Sequence, residues 1–198
     1  MVDRLSIAAS AFRDTLPTKR GPTRTDLQAG TAANLYSGTI ARLFAGPEFR
    51  RVIAVTSVNP GEGVTWTATR MASEVERVMG LRAGVISSAD LLARFEPRPP
   101  GAGITFVPAA RATLSQLRSE YDVILVDAGS MSASGSAIGL CRLELVDAVV
   151  LVVEAGRTKK HAVRRALQDI SAANGKVAGC LLNKRRFVVP AWLEALIG

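Results

Sequence analysis

Short apolar runs and amphipathic segments alternate along most of the chain. The apolar runs are rich in Val, Ile and Leu and predict buried strands: RVIAVTS (51–57), AGVISSAD (83–90), GITFVP (103–108), DVILVDAG (122–129), AVVLVVEAG (148–156) and VAGCLLNK (177–184). Segments whose apolar residues recur at helical spacing lie at 34–44, 64–80, 112–121, 159–175 and 190–197. Strands that are apolar on both faces and separated by helices predict an α/β fold, a three-layer sandwich with a mostly parallel sheet.

The composition changes near residue 30. Residues 1–30 combine Ser, Thr, Ala and Gly with charges, a mixture that buries little apolar area, and we expect a mobile N-terminal tail there. Residues 31–198 have the length of one ordinary domain and are expected to form a single one.

The charge balance points towards an anionic partner. The formal net charge is +8 and the sequence pI is about 10.3, values that suit nucleic acid, an anionic membrane surface or an acidic polymer. The alternative is a basic protein whose charges are simply solvated. Cations concentrate in RTKKHAVRRAL (157–167) and NKRRFVVPAWL (183–193). With only two cysteines and no apolar run of membrane-spanning length, the sequence predicts a reduced, cytosolic protein.

One segment carries recognisable chemistry, SVNPGEGVTWTA (57–68). A glycine-rich turn between a strand and a helix fits a phosphate-binding loop, in which Gly61, Glu62 and Gly63 would surround phosphate oxygens. Thr65 would offer its hydroxyl to Mg²⁺, and Asp127 would supply a carboxylate from another strand. The alternative for Asp127 is a turn residue at a strand end.

The lysine that normally follows the second glycine is Val64 in this chain. Loss of one charge-assisted contact to phosphate leaves about 1.5–3 kcal/mol of binding free energy unmade. The loss of transition-state stabilisation is expected to be larger. The sequence therefore predicts weak binding of ATP and Mg²⁺ at most, without catalysis.

Several segments together resemble the bacterial tyrosine kinases of capsule and exopolysaccharide export. They are VIAVTSVNPGEG, SEYDVILVDAG, LVDAVVLVVEAGRTKKHAVRRAL and VAGCLLNK, within residues 34–190. In that family the kinase is the cytosolic domain that works with a membrane polysaccharide co-polymerase, and it belongs to the deviant P-loop ATPases, which include ParA and MinD. The resemblance implies a P-loop NTPase-like fold.

The resemblance also assigns roles to individual positions. It implies that Asn183 reads the adenine edge, although a turn at a strand end is an equal alternative. The family's Asp-x-Asp signature falls on Ser88 and Asp90, so that only the second aspartate remains for the metal. The charged helix for ring assembly has no counterpart at 34–40, and Tyr36 and Tyr121 are the only tyrosines.

These departures predict a degenerate relative: a non-catalytic cytosolic partner that regulates exopolysaccharide or capsule biosynthesis and export, peripheral to the inner membrane. Its expected partner is the cytosolic part of a polysaccharide co-polymerase; self-association and contact with an anionic membrane surface stay open. One alternative is an atypical ATP-binding autokinase or ATPase with a relocated cation, such as Arg70 or Arg157. The other is a ParA-like or MinD-like positioning protein, although nucleic acid is the less favoured partner.

Overall fold

The computed structural model describes Ile40, Leu43 and Phe44 and residues 51–93 and 106–184. All of them belong to one compact unit of the chain, Leu35–Gly198. The predictions for the tail at 1–30 and for a C-terminal helix at 190–197 lie outside the described residues, as do Tyr36 and most of 34–44. Where 34–44 is described, Ile40, Leu43 and Phe44 are helical, as predicted.

Strands and helices alternate through the described chain. The strands are β1 (Val52–Ser57), β2 (Ala83–Ser87), β3 (Val123–Ser130), β4 (Ala148–Glu154) and β5 (Val177–Asn183). The helices are α1 (Val64–Met79), α2 (Ser88–Ala93), α3 (Phe106–Glu120), α4 (Ser136–Arg142) and α5 (Lys160–Ala172). None of these described helices has both the length and the apolarity needed to cross a bilayer.

The described strands form one sheet in the order β2-β3-β1-β4-β5, and every pair of neighbours is parallel. Parallel strands place their carboxyl ends at the same edge of the sheet, where α/β proteins bind ligands. The register aligns Asp127 with Val55 on one side and with Ser87 on the other. At the far side of the sheet, Glu154 aligns with Asn183. Polar residues at the carboxyl ends of the strands therefore lie together along this edge.

The sheet is buried on both faces, which explains why its strands are continuously apolar. On one face, Ile53 and Val55 of β1 pack against α1. On the other face, Val52 and Ala54 belong to a cluster that includes residues of α3, α4 and α5. The predicted three-layer α/β sandwich with a parallel sheet is confirmed.

Two local predictions need correction. The strand predicted at 83–90 ends at Ser87, because the Ser87 hydroxyl accepts the Asp90 N–H at 2.9 Å and caps α2. The strand predicted at 103–108 is wrong where it is described: Phe106, Val107 and Pro108 form the first turn of α3. Proline is tolerated there because first-turn N–H groups have no intrahelical acceptor. Helices α2 and α4 were not predicted.

Candidate nucleotide site

The candidate site lies at the carboxyl edge of the sheet, around the phosphate loop, which we define as residues 58–63 between β1 and α1. Gly61 and Gly63 have φ values of 78° and 96°, in the left-handed region that glycine adopts most readily. Gly63 is the N-cap of α1 and provides no side-chain cap. The N–H groups of Val64 and Thr65 lie in the first turn, where a helix supplies no acceptor. The loop therefore has the backbone geometry of an anion cradle.

Two predicted metal ligands lie together beside this loop. The Thr65 hydroxyl donates a hydrogen bond of 2.6 Å to Oδ2 of Asp127. The other carboxylate oxygen of Asp127, Oδ1, accepts the Gly129 N–H at 3.0 Å, which fixes the orientation of the group. A hydroxyl and a carboxylate are oxygen ligands of the kind that Mg²⁺ prefers, and this pair could hold the ion if phosphate oxygens and water completed its shell.

Asp90 is engaged elsewhere. Its carboxylate accepts a hydrogen bond of 2.6 Å from the Ser87 hydroxyl, which in turn accepts the N–H of Asp90. Ser88, at the position of the missing aspartate, is buried at the start of α2. No cluster of three or more His, Cys, Asp or Glu side chains suited to a metal occurs among the residues that the structure describes. The structure thus brings Thr65 and Asp127 together, whereas the Asp90 carboxylate bonds to Ser87, the residue that caps α2.

Val64 faces the apolar core. Only 7% of its surface is exposed, and it belongs to the same cluster as Val55 and Met71. The motif's lysine position therefore contributes packing under the loop in place of a cation. The motif's first glycine is also replaced, by Val58, a departure that the sequence analysis did not weigh.

Glu62, which was predicted to help surround phosphate oxygens, has a side chain that is engaged within the protein. The residue is 2% exposed, and its carboxylate accepts hydrogen bonds from the Val58 N–H at 3.0 Å and from the Asn59 side-chain amide at 2.9 Å. A third hydrogen bond comes from the Thr158 hydroxyl in the β4–α5 connection. A buried carboxylate needs such donors to offset the loss of hydration. Glu62 therefore stabilises the loop by hydrogen bonds within it and connects it to the segment before α5.

The end of β5 holds the same loop from another side. The side-chain nitrogen of Asn183 donates to the Glu62 carbonyl oxygen at 2.8 Å. The Lys184 ammonium donates to the Gly61 carbonyl oxygen at 2.6 Å and lies 3.4 Å from Oε2 of Glu154. The sequence analysis missed Lys184, although its place directly after Asn183 at a strand end was a usable signal.

Comparisons with solved structures give consistent results for the fold. The kinase domain of VpsO matches with a TM-score of 0.64 and 19% identity, covering 82% of this chain and 98% of that one. The kinase domain of the Escherichia coli tyrosine kinase ETK matches with a TM-score of 0.63 and 16% identity, covering 90% of this chain and 89% of that one. The chimeric protein CapA2B2 matches with a TM-score of 0.59 and 19% identity, covering 76% of this chain and 83% of that one.

The chain has the fold of these kinase domains. The resemblance seen in the sequence motifs is thereby confirmed at the level of the fold. No protein-family model and no curated protein matches the chain by sequence. At identities of 16–19% the likeness establishes architecture, and activity has to be argued from the site.

Proposed function

We propose that this protein is a non-catalytic relative of the bacterial tyrosine kinases. In this proposal it acts in the cytoplasm, at the inner membrane, as a regulatory partner in exopolysaccharide or capsule export. The observation that carries the proposal is Val64: the loop, Thr65 and Asp127 are in place, but the phosphate lysine is an apolar side chain packed into the core. The kinase-like fold of the solved neighbours supports the choice of pathway.

The electrostatics of the loop explain why catalysis is the first property to fail. Backbone N–H groups and a helix N-terminus attract phosphate, but phosphoryl transfer also needs a fixed cation to offset the charge that develops on the transferred group. Weak binding can survive the loss of one charge-assisted contact of about 1.5–3 kcal/mol. Turnover depends on the same contact more steeply.

The hydrogen bonds around the loop support a structural role for it. Glu62, Asn183 and Lys184 fix its conformation through the protein's own side chains. A loop held in this way keeps its shape without a ligand and can serve as part of a recognition surface. We propose the cytosolic ends of a membrane polysaccharide co-polymerase as the partner, with self-association and contact with anionic lipid as secondary possibilities.

One observation favours a second candidate function, a weak ATP-binding protein with a relocated cation. Lys184 contacts the loop through the Gly61 carbonyl oxygen, and its side chain is 46% exposed. Its ammonium could therefore turn towards a phosphate bound at the loop. Arg157, one of the two arginines considered from sequence, pairs with the same Glu154 carboxylate at 3.7 Å and is 79% exposed, whereas Lys184 also donates a hydrogen bond to the Gly61 carbonyl oxygen. Lys184 is therefore the better placed of these two cations.

Calorimetric titration of the full chain with ATP and Mg²⁺ separates the two candidates. The regulatory proposal expects no heat of binding in the micromolar range. Micromolar affinity that disappears in Asp127→Ala and in Lys184→Ala, but persists in Arg157→Ala, would establish the ATP-binding alternative instead. The pathway is tested separately by capture of the chain on the immobilised cytosolic ends of a polysaccharide co-polymerase from the same organism; failure to bind would refute that partner.

A further inference from the structure

A cavity of about 510 Å³ opens between the phosphate loop and the start of α5. The loop contributes Asn59 and Glu62 to its wall, the end of β4 contributes Glu154, and the β4–α5 connection contributes Arg157 and Lys159. Neither Thr65 nor Asp127 lines it, so this cavity is separate from the candidate metal end of the site.

The two carboxylates in the wall are already engaged. Glu62 accepts hydrogen bonds from the Val58 N–H, the Asn59 amide and the Thr158 hydroxyl. Glu154 has Arg157 at 3.7 Å and Lys184 at 3.4 Å. The donors to Glu62 are neutral and stabilise its charge without cancelling it, whereas the charge of Glu154 is offset by two cations. The cations that are accessible from solvent lie on the rim of the cavity.

That rim is basic and exposed. Arg157 projects with 79% of its side chain accessible and Lys159 is exposed, and both line the cavity. Lys160 and Arg164 of α5 are also exposed, although they do not line it. The first turn of α5 contains no acidic residue, and its N-cap, Lys159, makes no side-chain cap hydrogen bond. Cations at the N-terminus of a helix oppose the helix dipole and reduce stability. An anion placed among them would reverse that cost.

We propose that the cavity and its rim bind an acidic peptide segment of a protein partner. Carboxylates of the peptide would lie against Arg157 and Lys159, while Glu154 and the amide of Asn59 would face its main-chain groups. The mixture of cations and acceptors in a concave wall suits a peptide, which carries both carboxylates and N–H donors. This inference goes beyond the proposed function, because it holds whether or not the phosphate loop binds nucleotide.

An anionic membrane fits the same surface less well. Peripheral membrane binding combines cations with apolar side chains that enter the interface. The large apolar residues exposed in the described part of the chain are Trp66, Val78, Val177 and Leu182, and none of them lines the cavity or lies on α5. The basic rim thus has charge without an apolar anchor.

The test is fluorescence anisotropy of a labelled oligoglutamate peptide titrated with the full chain, with an oligoglutamine peptide of equal length as the neutral control. Arg157→Glu with Lys159→Glu reverses two rim charges. Arg111→Glu with Arg118→Glu, on exposed positions of α3, changes the net charge equally and lies away from the cavity. We expect the rim pair to weaken oligoglutamate binding by about tenfold or more and the α3 pair to change it by less than about twofold.

Equal losses in the two pairs, or no binding of oligoglutamate by the unmodified chain, would overturn the proposal. Stronger binding to phosphatidylglycerol vesicles or to duplex DNA, abolished by the rim pair, would also overturn it in favour of a membrane or a nucleic acid. Thermal unfolding measurements check that both double variants are folded. The alanine pair Arg157→Ala with Lys159→Ala provides a milder second variant and is expected to weaken binding in the same direction.

Discussion

The side-chain nitrogen of Asn183 donates a hydrogen bond of 2.8 Å to the carbonyl oxygen of Glu62, so the last residue of β5 holds the phosphate loop. Lys184 adds a second contact, from its ammonium to the Gly61 carbonyl oxygen. Both contacts use carbonyl groups of the loop and leave its N–H groups for other acceptors. The protein thus fixes the shape of an anion cradle without the cation that normally completes it.

Replacement of Asn183 tests whether this contact stabilises the protein. Asn183→Ala leaves the carbonyl group of the buried Glu62 without this donor, and we expect a loss of about 1 kcal/mol in the free energy of unfolding. Chemical denaturation measures it. Gln116→Ala, which removes an exposed amide side chain from α3, is the matched control and should change stability by less than about 0.5 kcal/mol. An equally small effect at Asn183 would show that the contact is not structural.

Gly63 is the position where the loop and Asn183 approach most closely. A Cβ atom on Gly63 would lie 2.3 Å from Nδ2 of Asn183, and φ is 96°. Gly63→Ala therefore combines a clash with backbone strain, and we expect it to cost about 2–4 kcal/mol. Gly80→Ala has a φ of 66° but nothing within 4 Å of the new methyl group, so it should cost about 1 kcal/mol from strain alone.

A double-mutant cycle separates the two causes. In the Asn183→Ala background the clash partner is gone, and Gly63→Ala should then cost about as much as Gly80→Ala. The free energy of unfolding from denaturant titration gives all the required values. A cost at Gly63 that is unchanged by Asn183→Ala would mean that strain alone accounts for it.

Restoring the motif's lysine tests the electrostatic explanation. Val64→Lys should raise the affinity for ATP and Mg²⁺ by about tenfold to a hundredfold, because it adds one charge-assisted phosphate contact. It should also lower stability by up to about 2 kcal/mol, because a buried apolar side chain is lost. Ser73→Lys, on the exposed side of α1, adds the same charge away from the loop and should leave the affinity within about twofold. A calorimetric titration that finds no gain in Val64→Lys would mean that the cradle cannot accept phosphate.

The strands that are buried on both faces, β1, β3 and β4, could be predicted from the sequence because each is a continuous apolar run. The predicted ends of strands and helices were wrong where one or two residues determine them. Ser87 ends β2 by capping α2, and Pro108 lies in a helical first turn within an apolar run. Helix α4 is only seven residues long and rich in small residues, so its sequence has little periodicity to detect.

The site was predictable as far as one motif reaches. Thr65 and Asp127 lie beside each other because strand-loop-helix spacing and a parallel sheet determine their positions, and their shared metal role stays a prediction. The contacts of Glu62 with Thr158 and of Lys184 with Gly61 join residues 96 and 123 positions apart in sequence. Such pairs depend on the order of the strands in the sheet, which the sequence pattern alone does not specify.

The ion pair that joins the start of β2 to the start of β3 predicts a pH dependence. Hydrogen bonds from the Arg82 guanidinium, followed by its backbone N–H, hold the pKa of Asp122 below its ordinary value. A carboxyl with a lowered pKa in the folded state stabilises the protein above its unfolded pKa, and this stability is lost as the pH falls below about 4. Asp122→Asn should therefore flatten the acid limb of the stability curve, as measured by denaturation from pH 7 down to pH 3. Arg82→Gln should produce most of the same flattening, and an unchanged limb in both variants would refute the assignment.

The most direct test of the central claim is a sensitive assay of ADP formation by the purified full chain in ATP and Mg²⁺, with Asp127→Asn as the blank. We predict that the two proteins give the same background rate and that neither acquires phosphotyrosine. ADP formation well above the Asp127→Asn rate, accompanied by phosphotyrosine on the chain, would contradict it and show that another group does the work of the missing lysine.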